Sequence, residues 1–355
     1  MRLLAYFPIC LLATACQKPV SEPAPVTGSS YYYPPQTGDA WETVSPAQLN
    51  WNTAKLNDAI AYAQQRNTYG LIILHKGRIV IENYWNNWTA TTRYPIASAG
   101  KSVAATLVGI AQTEKKLSIN DRTSTHLGVG WTSAPLAKEN LITIRHQITM
   151  TTGLDELGGP ENCTRPECLT YKADAGTRWY YYNSPYRLVL DVLESATKQS
   201  IHEYTKSRLA DRIGMKNFTW VNYILWLNTR DMARFGLLTL SKGQWNNQPI
   251  LTDDAYFKAM TTPSNPFNKS YGYLWWLNGQ DSFMVPTLTR VIPGALAPSA
   301  PPDMISALGA GDKKIYVVPS LDLVVVRHGD DTGAALLGPS SFDEGFWALL
   351  KQAMP

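Results

Sequence analysis

The stretch Tyr94-Pro-Ile-Ala-Ser98-Ala-Gly-Lys101-Ser-Val-Ala-Ala-Thr-Leu-Val-Gly-Ile110 organises the reading of this chain. Residues 99 to 114 are rich in Ala and Val, and Lys101 is the one charge before Glu114. That pattern predicts a helix buried on most sides. Ser98 and Lys101 stand at its start, three positions apart, so their side chains share a face. A serine hydroxyl is a poor nucleophile until a neighbour takes its proton. A lysine can do so if burial or a nearby cation lowers its pKa. The helix N-terminus also favours negative charge developing on Ser98.

Alone, Ser-x-x-Lys means little. A four-residue pattern fixed at two positions arises by chance about once in a chain of this size. Ser195-Ala-Thr-Lys198 is a second copy, and with Asp191 and Glu194 beside it, it reads as a solvated helix face. Ser98 could equally be a plain helix cap. A second element raises the weight of the first copy. Trp179-Tyr-Tyr181-Tyr-Asn183-Ser-Pro contains Tyr181-x-Asn183 just before a helix expected from 186. A phenol is a competent base if a cation such as Lys101 depresses its pKa. Asn183 could orient Lys101 or a substrate carbonyl. Spacing leaves open which of Tyr180, Tyr181 and Tyr182 faces a cleft.

Outward from this centre, helical periodicity covers 53 to 66, 186 to 210, 229 to 242 and 341 to 353. Leu71-Ile-Ile-Leu74 and Ile79-Val-Ile81 flank Lys76-Gly77 and read as a hairpin. Ile315-Tyr-Val-Val318 and Leu321 to Arg327, split by Pro319-Ser320, read as another. Strands at both ends and helices between them predict an α/β (α+β) fold: one antiparallel sheet built from both chain ends and flanked by helices. A mainly helical region, about 95–255, is inserted, and a site belongs in the cleft between the two parts.

The chain has 355 residues, 45% hydrophobic and 17% charged, with a net charge of +4. This is globular composition with length for a large core. No Lys/Arg run or basic-aromatic motif points to nucleic acid. The 12 Trp and 19 Tyr are enough to line an apolar cleft as well as a core. The five His show no metal-ligand spacing, and no cofactor is implied; His146 reads as structural. The nearest approach to Gly-x-Ser-x-Gly is Ile96-Ala-Ser98-Ala-Gly100, which lacks the first Gly.

Arg2 and the short apolar run Leu3 to Leu12 read as an export signal over 1–15. Ala13-Thr-Ala-Cys16 is similar to a bacterial lipobox, with Cys16 lipidated and the membrane as partner; Ala13-x-Ala15 also fits plain cleavage and secretion. Residues 16–45, rich in Pro, Ser, Thr and Gly, read as a tether. The serine-bearing domain then occupies 46–355, in the periplasm or cell envelope. Cys163 and Cys168 can close a small disulfide in an oxidising compartment; zinc is the weaker reading.

Taken in order, these motifs resemble the superfamily of class C β-lactamases and D-alanyl-D-alanine carboxypeptidases, with its esterases and 6-aminohexanoate-dimer hydrolases. The resemblance runs from about 41 to 353. It is carried also by Ile144-Arg-His-Gln-Ile-Thr-Met-Thr-Thr-Gly153-Leu, Gly176-Thr-Arg-Trp, Leu209-Ala-Asp-Arg-Ile-Gly214-Met, Asp231-Met-Ala-Arg-Phe-Gly236 and Tyr271-Gly-Tyr-Leu-Trp275-Trp. It implies a β-lactamase-like fold, Ser98 as acylated nucleophile, Lys101 and Tyr181 as proton-transfer pair, and Asn183 as a substrate or Lys contact. The third motif departs from the family pattern. Where Lys or His, then Thr or Ser, then Gly are usual, this chain has Ala307-Leu308-Gly309. Ala and Leu cannot make a charge-assisted hydrogen bond to a substrate carboxylate. An oxyanion hole needs only backbone N–H groups, from Ser98 and about Ala310. The expectation is therefore an exported serine hydrolase of small esters or neutral amides. The alternatives are β-lactam or D-Ala-D-Ala hydrolysis, and a catalytically silent envelope protein of the penicillin-binding type.

Overall fold

In the computed structural model, which describes residues 31–333 and 338–355, six strands form the central sheet. They are β1 (Thr68–His75), β2 (Arg78–Tyr84), β3 (Trp276–Leu277), β4 (Ile305–Gly309), β5 (Lys313–Val318) and β6 (Leu323–Gly329). Their spatial order is β2-β1-β6-β5-β4-β3, antiparallel at each pairing. The N-terminal hairpin meets the C-terminal one through β1 and β6, in a register from Thr68 opposite Gly329 to His75 opposite Leu323. The expected sheet of both chain ends is thus present. Strands β5 and β6 are buried on both faces, which accounts for their nearly continuous apolar runs.

Five longer helices flank this sheet or fill the region between β2 and β3: α1 (Thr53–Gln64), α2 (Gly100–Thr113), α3 (Asn183–Thr197), α4 (Thr229–Leu240) and α5 (Ser341–Ala353). On one sheet face α1 and α5 pack together, with Tyr62 against Phe342 and Trp347 edge-on to Tyr316 of β5. On the other, α4 lies so close that a Cβ on Gly236 would meet Val324 at 2.5 Å. Helix α2 is buried from Gly100 to Ala111, as its composition predicts. It is pinned by Ser102 Oγ donating to the Leu274 carbonyl and Tyr256 donating to that of Ala105, both at 2.7 Å.

Two expectations change. The helix expected over 186–210 is not continuous: α3 ends at Lys198, which is left-handed at φ 59°, and Ser200 then caps a new turn, Ile201–Thr205, in a capping box with Glu203. Ser195 Oγ donates to the His126 carbonyl, and Lys198 is exposed beyond the helix end, so the second Ser-x-x-Lys makes no pair. Residues 31–45, read as tether, lie against the β1–β2 hairpin instead. Tyr32 N–H donates to the Lys76 carbonyl, Trp41 Nε1 to that of Gly77 and Val44 N–H to that of Ile79. The aromatic residues Tyr31, Tyr33 and Trp41 supply the apolar surface that Pro, Ser and Gly lack. A Cβ on Gly77 would fall 1.9 Å from the Tyr32 carbonyl, so this crossing requires glycine. The leader at 1–15, Cys16 and the first half of the tether lie outside the described residues. No helix among the described residues is long and apolar enough to cross a membrane.

His328, on β6, is fully buried against Trp88 and Tyr94, and neither ring nitrogen has a hydrogen-bond partner among the described residues. Burial, with Lys313 and Arg327 nearby, pushes its pKa from 6.5 down to about 3. The unfolded chain therefore binds a proton that the folded one refuses, and stability falls as pH drops below 6.5. One pH unit is worth 1.36 kcal/mol per group, so the loss by pH 5 is about 2 kcal/mol. Denaturant titrations at pH 7 and 5 should show this loss in the native protein and a smaller one in His328→Phe; equal losses would remove His328 as the source.

Candidate active site

The chain enters the site along a short strand, Tyr94–Pro95, which pairs with Trp226 and Leu227. Ile96 N–H donates to the Leu225 carbonyl. Ala97 then takes a left-handed φ of 49°, rare for a residue with a Cβ, and a single 3-10 turn, Ala97–Ala99, leads into α2. This abrupt turn leaves Ser98 half-buried at the cleft while the helix behind it is covered. Ser98 is not a helix cap, since no side chain caps α2.

Lys101 is the second residue of α2 and is only 5% exposed. Its Nζ donates to Ser98 Oγ at 2.9 Å and to Asn183 Oδ1 at 2.9 Å. Burial, reinforced by the Arg187 charge and opposed by Glu161, pulls its pKa from 10.5 down to about 7. The amine sits 4.3 Å from the ring centre of Tyr186 and 5.1 Å from that of Tyr181. Near neutrality a large fraction is therefore free amine, hydrogen-bonded to a hydroxyl it can deprotonate.

Among the three tyrosines, Tyr181 is the one turned toward Ser98. Its buried ring stacks on Trp276 at 5.9 Å, whereas Tyr182 donates to the Cys168 carbonyl and Tyr180 carries the Arg178 guanidinium over its ring. Burial raises the Tyr181 phenol well above its ordinary value, and the Ser98 hydroxyl offsets this only in part. The expectation of a phenol made basic by a cation is thus corrected. Desolvation acts oppositely on the two groups, disfavouring both phenolate and ammonium, so near neutral pH the phenol stays protonated while the amine is the group that can be free.

Asn183 begins α3 and bridges two elements: its Oδ1 takes the Lys101 bond, and its Nδ2 donates to Glu161 Oε1 at 3.1 Å. Glu161 precedes the small loop closed by a Cys163–Cys168 disulfide, Cα–Cα 6.0 Å, and Arg187 of α3 donates to the Asn162 carbonyl beside it. His146 is structural, accepting the Thr143 N–H at Nδ1 in a helix cap. Sequence reading missed Glu161, Tyr186 and Arg187. Tyr186 was findable one helical turn after Asn183. Glu161 lies in a loop without periodicity.

The opposite wall is the end of β4. A Cβ on Gly309 would lie 2.3 Å from the Ile96 carbonyl and 3.3 Å from the Ala97 Cβ, so only glycine lets this strand reach the Ser98 turn. Ala310 follows, lining the cleft with Leu308, while Ala307 is wholly buried. The cleft encloses about 260 Å³, and no Lys or Arg is among its described lining residues. The two nearest cations on the sheet are committed elsewhere. Lys313, opposite Gly309, pairs with Asp330 at 3.0 Å; Lys314, opposite Leu308, is fully buried against Asp312 and Asp343.

A serine at the mouth of a buried helix, bonded to an amine one turn on, defines a site of the serine-hydrolase kind. A sequence profile of the Beta-lactamase family matches residues 53–332. The chain belongs to this family of serine hydrolases. Among solved structures, a "putative beta-lactamase" of Bacteroides dorei matches with a TM-score of 0.67 at 15% identity, over 85% of this chain and 99% of its own. A "putative 6-aminohexanoate-dimer hydrolase" of Bacillus anthracis matches with a TM-score of 0.67 at 16% identity, over 91% and 88%. An octameric penicillin-binding protein homologue of Pyrococcus abyssi gives 0.58 at 16% identity, over 85% and 76%. At such identities the likeness is one of fold. Comparison with curated proteins gave no match.

The contact at Gly309 yields a prediction. Gly309→Ala should push β4 away from the Ser98 turn, lowering stability by about 1–3 kcal/mol, as overpacking does. Calorimetry should detect that loss together with slower covalent labelling of Ser98; an unchanged melting temperature would show that the turn has room to give.

Proposed function

We propose that the protein hydrolyses small esters or neutral amides through an acyl group carried on Ser98. The observation that carries this reading is the buried Lys101 amine, 2.9 Å from Ser98 Oγ with its pKa drawn down to about 7. In the first step neutral Lys101 takes the Ser98 proton as Oγ bonds to the substrate carbonyl carbon. The carbonyl oxygen, now negative, is received by the backbone N–H groups of Ser98 and Ala310. Collapse breaks the bond to the leaving group, which receives the proton from Tyr181, itself resupplied by Lys101. Water then attacks the acyl-serine with the same amine as base, giving the free acid and restoring Ser98.

Substrate polarity follows from the β4 wall. With Ala307 and Leu308 where the resembled enzymes use a cation and a hydroxyl, a carboxylate near this wall would be desolvated without a partner. This favours neutral acyl compounds over β-lactams and peptidyl-D-alanine. We propose further that the protein works outside the cytoplasm, anchored to a membrane through Cys16. The Cys163–Cys168 disulfide supports an oxidising compartment.

A fluorophosphonate probe followed by intact mass should add one adduct, absent from Ser98→Ala, with matching loss of p-nitrophenyl ester hydrolysis. A native protein that neither labels nor turns over any ester or amide would be the silent envelope protein instead. Tyr181→Phe should lower kcat by about 10² or more while leaving the melting temperature near native; if Tyr180→Phe or Tyr182→Phe does so, the phenol has been misassigned. Acylation should fall about ten-fold per pH unit below about 7, as Lys101 takes up its proton, and level off above. A rate flat from pH 5 to 8 excludes this lysine as the base.

A further inference from the structure

The cleft holds two carboxylates, and they differ. Glu156 is saturated: Arg178 grips it with both nitrogens at 2.6 and 2.9 Å, and Lys172 adds a third contact at 2.9 Å. Glu161 accepts one hydrogen bond, from neutral Asn183, and has no Lys or Arg within salt-bridge distance among the described residues. Arg187 is held on the Asn162 carbonyl and over the Tyr223 ring. Three hydrogen bonds link Glu161 to Ser98 through Asn183 and Lys101. At bond lengths near 3 Å this sets Glu161 about 11 Å or less from the nucleophile. Tyr180, Tyr181 and Tyr182 line the same cleft.

A carboxylate without an ion pair, in a cleft lined by tyrosines and, among the described residues, by no Lys or Arg, is chemistry that receives an ammonium group. We propose that Glu161 makes this site selective for substrates that carry a positive charge, as an alkylammonium, a few atoms from the scissile carbonyl. The inference rests on the hydrolase reading and narrows it: the β4 wall offers a carboxylate no partner, and Glu161 opposite offers one to an amine. The arrangement also places the selecting charge on the chain of hydrogen bonds that positions Lys101. A cation bound at Glu161 then offsets the carboxylate that otherwise favours the ammonium form of Lys101, leaving the base more readily free.

The test uses p-nitrophenyl esters of equal length whose acyl chains end in trimethylammonium, methyl or carboxylate, and a second series with the charge in the leaving group. For the native protein kcat/KM should be about five-fold higher for the cation than for the neutral ester in one series, the scale of an exposed ion pair with an aromatic contribution. The carboxylate ester should be the slowest. The advantage should shrink in 0.5 M salt, because Glu161 is exposed. In Glu161→Gln, which keeps an acceptor for Asn183, the cation-to-neutral ratio should collapse toward one. Lys101 serves both esters of a pair, so an altered base cancels in this ratio. Turnover with no charge preference in either series overturns the inference and leaves the hydrolase reading standing. If no ester is turned over, the hydrolase reading fails, and calorimetry on Ser98→Ala still decides the inference. Butyltrimethylammonium should bind there more tightly than butyrate, and lose that advantage when Glu161→Gln is added; equal binding, or tighter butyrate, sinks it.

Discussion

The Lys101 amine is shut away from water, and the rest of the site follows from that. Holding its pKa near 7 means that its surroundings, burial foremost, act against the ammonium form by about 5 kcal/mol relative to solvent. Such a group is tolerated only where its neutral form has partners, and it has two, Ser98 and Asn183. Their placement needs a helix buried on nearly all sides, a second helix that begins beside it, and a left-handed turn at Ala97. The same burial keeps Tyr181 protonated. One environment thus moves both groups toward their neutral forms, the amine that in water would be charged and the phenol that stays protonated.

The sheet supplies the facing wall and, with it, the polarity of the cleft. Strand β4 closes on the Ser98 turn because Gly309 has no side chain. Beyond that contact the strand offers Leu308 and Ala310. Lys313 and Lys314 are near in sequence but serve as structural ion pairs, Lys314 within a buried cluster with Asp312, Asp343 and Tyr316. Charge in the cleft is therefore set from the other side, by the segment that leads into the disulfide-closed loop. There Glu156 is paired with Arg178 and Lys172, whereas Glu161 has no cationic partner among the described residues.

Much of the fold was legible because burial imposes patterns on sequence. The runs at 71–74, 79–81 and 315–327 are apolar since their strands lie inside the sheet, and α2 is Ala-rich since its neighbours approach from all sides. Where pattern and structure part, a local competitor is visible. Ser200 and Glu203 start a new helix inside a stretch with unbroken amphipathic spacing. Tyr31, Tyr33 and Trp41 dock a segment whose remaining composition is that of a linker.

By itself the sequence determined the elements, the sheet drawn from both ends, and the Ser98–Lys101 pair, because helix geometry forces residues three apart onto one face. It also determined an absence, the missing cation at Ala307. The tertiary structure decided which tyrosine meets Ser98, which way burial moves each pKa, and that among the described residues Glu156 meets two cations and Glu161 none. These depend on distances between segments far apart in the chain, and a carboxylate in a loop carries no periodicity to announce its partners. A pKa is the sum of desolvation and charge around one atom, and that sum exists only once the chain has closed around it.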